Sequence, residues 1–232
     1  MTGVQAYLQF AAEHPRLFAN PPGDIFTVLL DTKEIEQVEN EMEERLKQRG
    51  IPESKAKEWS RVGIVFEDPY LLVLRDAVRF PGGSTGTYFR MVHRGETVPG
   101  VIILPVFEGQ LVLVRHFRHA TRMWHLEVPR GFGSPELTPE ENARRELFEE
   151  IQGEIGRFEP LGTAFLDTGA TANVNAFFYV ELAKYGKLDH SEAIAELILV
   201  PITDLNSMIA RGEMTDGFTL TALALAHAKG LM

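Results

Sequence analysis

The pattern of apolar and polar residues changes near residue 60. Before that point, apolar residues recur every three or four positions, which is the spacing of one helix face. A short helix is predicted around residues 4–11, and a longer one covers residues 33–49 with Ile35, Val38, Met42 and Leu46 on one side. The apolar side of the longer helix must be covered, and either the main domain or a partner subunit could cover it.

After residue 60, short runs of β-branched and aromatic residues predict strands. These runs cover residues 62–66, 70–75, 87–92, 101–106, 110–115, 124–128, 159–166, 176–182 and 195–201. The turn residues 80–84 and the pair Glu108-Gly109 predict two hairpins. Helices are predicted over residues 203–211 and 218–229. Mixed strands with one central helix and late helices indicate an α+β fold, or a sheet between helices.

The central helix is predicted from its capping residues. Thr138 is a good N-cap, Pro139 suits the first helical position, and Glu141 completes a capping box with Thr138. One apolar stripe recurs every four residues along this helix and consists of Ala143, Leu147 and Ile151. The stripe predicts which side of the helix faces the core.

Three acidic residues of the same helix, Glu146, Glu149 and Glu150, stand at i, i+3 and i+4 and share a different face. Like charges at this spacing repel by about 0.2–0.5 kcal/mol per pair. A hard divalent cation relieves that repulsion, and ligand sets made only of oxygen suit Mg²⁺ or Mn²⁺. The alternative is a solvated acidic face with Arg144 and Arg145 as its ionic partners.

Residues 131–153, GFGSPELTPEENARRELFEEIQG, resemble the Nudix box. That pattern is Gly, five residues, Glu, seven residues, then Arg-Glu-apolar-x-Glu-Glu-x-Gly-apolar. Gly131 takes the first position, and residues 145–150 match the second half. Two positions depart from the pattern, because Leu137 replaces its first Glu and Gln152 replaces its second Gly. By this resemblance, the half of the pattern that binds metal is intact. The positions that brace the loop and end the helix are altered.

From about residue 61 onward the chain is similar to the ADP-ribose and sugar-nucleotide pyrophosphatase branch of the Nudix hydrolases. The similar stretches are residues 66–70, 114–118, 126–131 and 214–219. The resemblance implies a Nudix-type α/β/α sandwich with a mixed sheet. We expect a helical extension over residues 1–60 and a Nudix-like domain over 61–232, with N-terminal strands at 61–105 and a core at 106–232. Members of this branch form dimers, so a homodimer is expected.

The resemblance also assigns roles to residues. The metal ligands are expected to be Glu146, Glu149, Glu150 and the backbone carbonyl near Arg130. Arg145 is expected to orient the glutamates. The expected function is Mg²⁺-dependent hydrolysis of a nucleoside diphosphate linked to another moiety, such as ADP-ribose or a nucleotide sugar. The alternative is a weak or inactive domain that binds a nucleotide or a protein.

Substrate contacts are expected from Arg115, Arg118, Glu127 and Arg130. A guanidinium can bind phosphate through two hydrogen bonds, and Arg118 matches a phosphate-binding arginine of the family. Each arginine could instead pair with a surface acid. Glu127 could reach the metal through water or form structural hydrogen bonds. Further candidates are the histidines at 116 and 119 and the aromatic residues Phe89, Trp124 and Phe132, which could equally be ordinary strand and core residues.

Catalytic roles are expected for Arg145, Glu149, Glu150 and Asp167. The family places a general-base glutamate on the loop after the helix, and the aligned residue here is Asn173, whose amide cannot accept a proton at neutral pH. Three acids could replace it, or water activated by the metal alone could suffice. These acids are Asp167, Glu192 and Glu196, and Asp167 could instead cap the turn at Gly169.

Composition narrows the choice of partners. The 232 residues carry a formal net charge of −10, which argues against general binding to nucleic acid. The chain contains no cysteine, so disulfides and thiolate metal sites are excluded. No signal-like or membrane-spanning apolar run is found in the sequence, so we expect a cytoplasmic protein without a membrane partner.

Overall fold

The structure is a computed structural model, and it describes residues 3–93, 98–188 and 193–232. The chain forms two compact units, Met1–Gly95 with Asp167–Ala172, and Glu96–Leu166 with Asn173–Met232. This division differs from the predicted boundary at residue 60. The reason is that strand β1 (Thr27–Leu29) pairs with β3 (Leu71–Arg79), so the early residues contribute to the same sheet as the strands that follow.

The N-terminal unit is a small sheet covered by helices. Strand β3 pairs in antiparallel fashion with β1, with β2 (Gly63–Glu67) and with β4 (Thr85–His93). The hairpin predicted at residues 80–84 is confirmed, since the Phe80 amide donates to the Ser84 carbonyl at 2.8 Å. The helices of this unit are α1 (Gly3–Glu13), a 3-10 turn (Pro15–Phe18), α2 (Thr32–Gln48) and α3 (Glu53–Ser60).

Helix α2 begins where the sequence predicts. The Asp31 carboxylate caps it by accepting hydrogen bonds from the amides of Lys33 and Glu34. Ile35 and Val38 are buried and pack in one cluster with residues of β3, so the apolar face is covered within its own unit. Helix α3 was not predicted, because its only buried residues are Ala56 and Ser60 and its pattern gives little periodicity.

The C-terminal unit is built on a sheet that has seven strands among the described residues. Its main order is β11–β6–β5–β10–β9, with β7 beside β6 and β8 beside β5. The strands are β5 (Gly100–Phe107), β6 (Gln110–Arg118), β7 (Met123–Glu127), β8 (Arg130–Gly131), β9 (Glu154–Phe165), β10 (Val174–Lys184) and β11 (Ile194–Pro201). Strands β5 and β10 are parallel and the other pairs are antiparallel, so the predicted mixed sheet is confirmed.

Helices cover both faces of this sheet. The helices are α4 (Pro139–Ile151), a 3-10 turn (Ile202–Asp204), α5 (Leu205–Ala210) and α6 (Gly217–Ala228). On β5, Val101 and Ile103 pack with the apolar stripe of α4, whereas Ile102 and Leu104 pack with α6 on the opposite face. This alternation confirms the α/β/α sandwich. Within the three described ranges, no helix combines the length and the apolar character needed to span a bilayer.

Candidate active site

Helix α4 is held in one orientation by its cap and its apolar stripe. The Thr138 hydroxyl accepts from the Glu141 amide at 3.2 Å, and Glu141 accepts from the Thr138 amide at 2.8 Å, so the predicted capping box is confirmed. Ala143, Leu147 and Ile151 are fully buried. With this stripe against the sheet, the glutamates at 146 and 149 are placed beside β8.

The loop before α4 is braced by a residue that the sequence analysis did not select. The side chain of Asn142 is fully buried and bonds three loop groups: it accepts from the Ser134 amide at 2.9 Å and donates to the carbonyls of Ser134 and Leu137. Asparagine is a weak helix former, and its presence inside the first turns of α4 was the available signal. Asn142 thus holds the loop before α4, although Leu137 stands where the box-like pattern has a glutamate.

The three glutamates of α4 are not equivalent. The Glu149 side chain is 57% exposed and that of Glu146 is 15% exposed, whereas Glu150 is 4% exposed as a residue. Glu146 and Glu149 are therefore accessible to different degrees, and the burial of Glu150 was not predicted from the sequence. In the described part of the chain, no three acidic or histidine side chains are gathered as a preformed metal site. Metal ligation by these residues therefore stays a prediction.

Gly131 allows Glu146 to approach the loop. A Cβ atom at position 131 would lie 2.0 Å from Oε2 of Glu146, far inside van der Waals contact. The carboxylate therefore occupies the space that any other residue type would fill. Because Gly131 is the first position of the box-like stretch, its lack of a side chain has a direct structural use here.

A cavity of about 580 Å³ opens between β5, β8 and α4. Three arginines and two glutamates line it: Arg118, Arg130, Arg145, Glu146 and Glu149. Its other side chains include two aromatic rings and one amide, contributed by Phe132, Phe218 and Asn175. The charged lining sums to one net positive charge, in a chain whose net charge is −10. The cavity is thus locally suited to an anion.

Glu127 lies beneath two of these arginines. Its side chain is 1% exposed, and its Oε2 accepts from Nε of Arg118 at 3.0 Å and from Nη2 of Arg130 at 3.2 Å. Its Oε1 contacts Arg118 and lies 3.0 Å from Nδ1 of His116. Burial raises the pKa of Glu127, and the two guanidinium groups oppose that rise. Glu127 therefore positions the arginines and does not line the cavity.

His116 is neutral in this network at pH 7. Burial, followed by the charges of Arg118 and Arg130, lowers its pKa to about 4. A neighbouring carboxylate ordinarily raises the pKa of an imidazole. Here the carboxylate of Glu127 is already shared by two guanidinium groups, so we expect the lowering to prevail.

Several predicted residues do not line the cavity. Arg115 is paired with Glu196 at 3.1 Å and lies over the ring of Trp124. The predicted substrate contact by Arg115 is therefore not supported, because its guanidinium is held at the other face of β6. Trp124 packs edge-to-face on Phe117 and not beside the cavity lining.

The acids that could replace the general base of the family pattern lie in different parts of the chain. Asp167 belongs to the N-terminal unit, and its Oδ1 accepts from the amides of Gly169 and Ala170, which is the turn-capping role. Glu196 is engaged by Arg115, and Glu192 lies outside the described residues. Oδ1 of Asn173 is buried without a hydrogen-bond partner within the described chain.

Comparison with known proteins agrees with this geometry. A family model described as "NUDIX domain" matches residues 96–218, more than half of the chain. The chain belongs to the Nudix family. A GDP-mannose pyrophosphatase of Yersinia enterocolitica is 29% identical over 134 residues, covering 53% of this chain and 70% of that protein. A GDP-mannose pyrophosphatase of Klebsiella pneumoniae is 29% identical over 162 residues, covering 65% and 80%.

A solved structure described as an ADP compounds hydrolase has the same fold. Its TM-score is 0.64 at 20% sequence identity, and the match covers 74% of this chain and 93% of that one. The Nudix domain predicted from residues 131–153 is thus confirmed at the level of family and fold.

The end of the Nudix helix shows how its second departure is accommodated. Gln152 adopts the left-handed conformation at φ 50° and ψ 41°, where the family pattern has glycine. Such a conformation costs a side-chain-bearing residue about 1–2 kcal/mol. The Gln152 side chain accepts a hydrogen bond from the Lys187 amide at 3.3 Å. A Cβ at Gly186 would lie 2.6 Å from that same side chain, so glycine is needed at 186 instead.

Proposed function

We propose that this Nudix domain hydrolyses the pyrophosphate bond of a nucleoside diphosphate linked to a sugar. The observation that carries the proposal is the convergence of Arg118, Arg130 and Arg145 with Glu146 and Glu149 on one cavity. A substrate with two adjacent phosphates needs several fixed cations for binding and carboxylates for the reaction. The names of the similar proteins, GDP-mannose pyrophosphatase and ADP compounds hydrolase, support this substrate class.

The arginines bind and orient the phosphates. A guanidinium presents a rigid pair of N–H donors that matches two phosphate oxygens. Arg118 and Arg130 are held from behind by Glu127, so their direction is set before substrate arrives. Pre-set donors contribute more to the transition state than donors that must reorganise. The aromatic ring of Phe132, 79% exposed at the cavity, is placed to stack on a base or a sugar.

The residues present fit a hard divalent ion. The donors are carboxylate and carbonyl oxygens, and Gly131 leaves the Glu146 carboxylate room beside the loop backbone. Glu146, Glu149, Glu150 and the carbonyl near Arg130 would hold the ion, with Mg²⁺ or Mn²⁺ as the expected metal. When bound, it would neutralise phosphate charge and acidify water. Arg145, whose Nη2 donates to Glu146 at 3.1 Å, orients that carboxylate.

Glu149 is the proposed proton acceptor for the attacking water. Of the glutamates on α4 it is the one most open to the cavity. Asn173 cannot take this role, because its amide does not accept a proton at neutral pH.

The test is a hydrolysis panel with Mg²⁺: ADP-ribose, ADP-glucose, GDP-mannose and a nucleoside triphosphate. We expect the first three compounds to be hydrolysed and the nucleoside triphosphate to be a poor substrate. Arg118→Lys should lower kcat/KM about tenfold to a hundredfold, since a hydrogen bond to a charged group is worth about 1.5–3 kcal/mol. Arg157→Lys, at an exposed ion pair with Glu159, is the matched control and should leave kcat/KM unchanged. Equal rates for both variants would contradict the assignment of Arg118.

A second candidate function is binding without turnover. The observations that favour it are the absence of a preformed three-acid cluster within the described ranges and the amide at position 173. In that case ADP or GDP would bind with Mg²⁺ and no diphosphate substrate would be cleaved. Calorimetric titration of the protein with the same compounds distinguishes binding without hydrolysis from hydrolysis.

The assembly state proposed with this function is a homodimer. Phe66 and Phe89, on strands that both pair with β3 of the N-terminal unit, are 52% and 58% exposed, and Tyr70, in the turn before β3, is 78% exposed. Large exposed aromatic groups in one region commonly mark an interface. Light scattering should give twice the chain mass, and a mass of 26.0 kDa at micromolar concentration would contradict the dimer. A cytoplasmic location and the lack of nucleic-acid binding stay predictions from the sequence.

A further inference from the structure

The N-terminal end of α6 contacts the cavity arginine Arg130 in two ways. Oδ1 of Asp216 lies 3.1 Å from Nη2 of Arg130, and the Arg130 guanidinium lies 3.9 Å from the centre of the Phe218 ring. Both groups are largely removed from water, since the side chain of Arg130 is 15% exposed and that of Asp216 is 9% exposed. Interactions of charges at such depth are screened little by salt.

Asp216 is itself fixed. It is the N-cap of α6, and its Oδ2 accepts from the amide of Thr219 at 2.9 Å and from the hydroxyl of Thr219 at 2.8 Å. The same hydroxyl accepts from the amide of Val128 at 3.1 Å, just before β8. One carboxylate oxygen therefore caps the helix while the other faces Arg130. The helix cap and the ion pair can be tested separately. An asparagine at position 216 can keep the cap, but it carries no charge to pair with Arg130.

Glu127 contacts the same nitrogen of Arg130 as Asp216 does, because its Oε2 accepts from Nη2 at 3.2 Å. The charges thus alternate along a chain of four side chains, Arg118, Glu127, Arg130 and Asp216. Without Asp216, the single Glu127 carboxylate would have to balance two guanidinium groups. Burial lowers the pKa of Arg130, and Asp216 is the largest opposing influence on that pKa. The positive charge of Arg130 therefore depends on its carboxylate partners more than the charge of an exposed arginine would.

We infer that Asp216 and Phe218 are positioning residues, which fix the Arg130 guanidinium at the cavity between a carboxylate and an aromatic face. This gives a role to residues 214–219, which the sequence analysis singled out without assigning a function. The kinetic consequence rests on the proposed hydrolysis, whereas the fixing of Arg130 does not. Two independent measurements follow from that distinction.

The first measurement is spectroscopic and needs no substrate. In ¹⁵N NMR of the arginine side chains, the Nη signals of Arg118 and Arg130 should be separately resolved because rotation about the Cζ–Nη bonds is hindered. Arg130→Lys and Arg118→Lys assign the signals. Asp216→Asn should cause loss of the separate Arg130 signals and leave those of Arg118. Asp31→Asn is the matched control, since Asp31 also caps a helix through its side chain but makes no ion pair with an arginine of the described ranges. Unchanged Arg130 signals in Asp216→Asn would overturn the inference.

The second measurement is kinetic. Asp216→Asn should lower kcat/KM about tenfold, because small displacements of a positioning group cost up to about a hundredfold. Phe218→Leu, which keeps an apolar side chain but removes the ring face, should give a smaller loss in the same direction. Wild-type kinetics in both variants would overturn the inference, whatever the melting temperatures of the variants. If the wild-type protein cleaves no diphosphate substrate, the proposed function fails and the NMR result alone decides the role of Asp216.

Discussion

The phenol of Tyr7 donates a hydrogen bond of 2.6 Å to Oδ1 of Asp76, and both side chains are almost completely buried. The other oxygen of Asp76 accepts from Nε of Arg90 at 2.7 Å. A residue of the first helix is thereby tied to an ion pair between strands β3 and β4. A buried carboxylate is tolerated only when its oxygens are satisfied in this way. The contact is therefore a stability determinant of the N-terminal unit.

Tyr7→Phe should lower the free energy of unfolding by about 1.5–3 kcal/mol, the value of a hydrogen bond to a charged group, because Oδ1 of Asp76 would keep only the longer bond of 3.3 Å from Nη2 of Arg90. Tyr88→Phe is the control, because its hydroxyl donates to the Gly169 carbonyl from a more exposed ring. Urea titration measures both. A loss in Tyr7→Phe no larger than in Tyr88→Phe would contradict the role of the buried bond.

The same contact gives a dependence on alkaline pH. Burial, then the charge of Asp76, raises the pKa of Tyr7 above its ordinary value. A raised pKa in the folded state means that the stabilisation is complete below the unfolded-state pKa of about 10 and is lost as the pH rises beyond it. Wild type should therefore lose more stability than Tyr7→Phe between pH 9 and pH 11, measured by thermal melts. Parallel losses would refute this.

Gly131→Ala should separate activity from stability. The new methyl group would collide with the carboxylate of Glu146, which is the end of a flexible side chain and can move away. We expect a change in the free energy of unfolding of about 1 kcal/mol or less together with a loss of hydrolysis and of the Mg²⁺ response. Gly3→Ala, where a Cβ meets nothing within 4 Å, is the control for the substitution itself. Full activity in Gly131→Ala would disprove the need for Glu146 beside the loop.

Mg²⁺ should stabilise the wild-type protein through the glutamates of α4. An ion present at 100 times its dissociation constant adds about 2.7 kcal/mol, and Glu146→Gln should lose most of that gain. Glu140→Gln lies on the same helix, at an exposed pair with Arg144, and should keep it. Thermal melts with Mg²⁺ and with chelator give the comparison. If Glu146→Gln and Glu140→Gln respond alike, Glu146 is not a ligand.

His116 should make the protein sensitive to mild acid. Because its folded-state pKa of about 4 lies below the ordinary value of 6.5, its contribution is complete above pH 6.5 and is lost as the pH falls towards 4. The groups facing it are Glu127, Arg118, Arg130 and His125. His116→Asn, which keeps a donor near Glu127, should lose less stability than wild type between pH 7 and pH 5. A steeper loss in the variant would mean that Glu127 holds the imidazole protonated.

The features predicted best from the sequence are those formed by residues that are close together in the chain. The capping box of Thr138 and Glu141 and the buried stripe of α4 involve residues three or four positions apart, so helical geometry alone relates them. The hairpin at Glu108-Gly109 was predicted for the same reason. The sequence placed Glu146, Glu149 and Glu150 on one side of α4, but it did not predict the burial of Glu150, because periodicity gives the side of a helix and not its depth.

What the sequence did not predict depends on contacts between distant segments. Arg115 and Arg118 are three positions apart on β6, so their side chains lie on opposite faces, but which face carries the cavity depends on Glu127 and α4, which lie elsewhere in the chain. Asp216 caps α6, and a helix cap, which involves only residues close in the chain, gives no indication of the contact with Arg130. Asn175 lines the cavity because β10 runs parallel to β5, and that pairing cannot be read from either strand alone.

The left-handed turn at Gln152 has a consequence for how this sequence can vary. Its side chain takes the space beside Gly186, so glycine is required after β10 and not at the end of α4. Replacing Gly186 alone forces a steric clash, whereas Gln152→Gly first removes the three atoms that a side chain at 186 would meet nearest. The two positions are therefore expected to change in a fixed order during evolution, with 152 first, and each sequence on that route keeps a glycine at one of them.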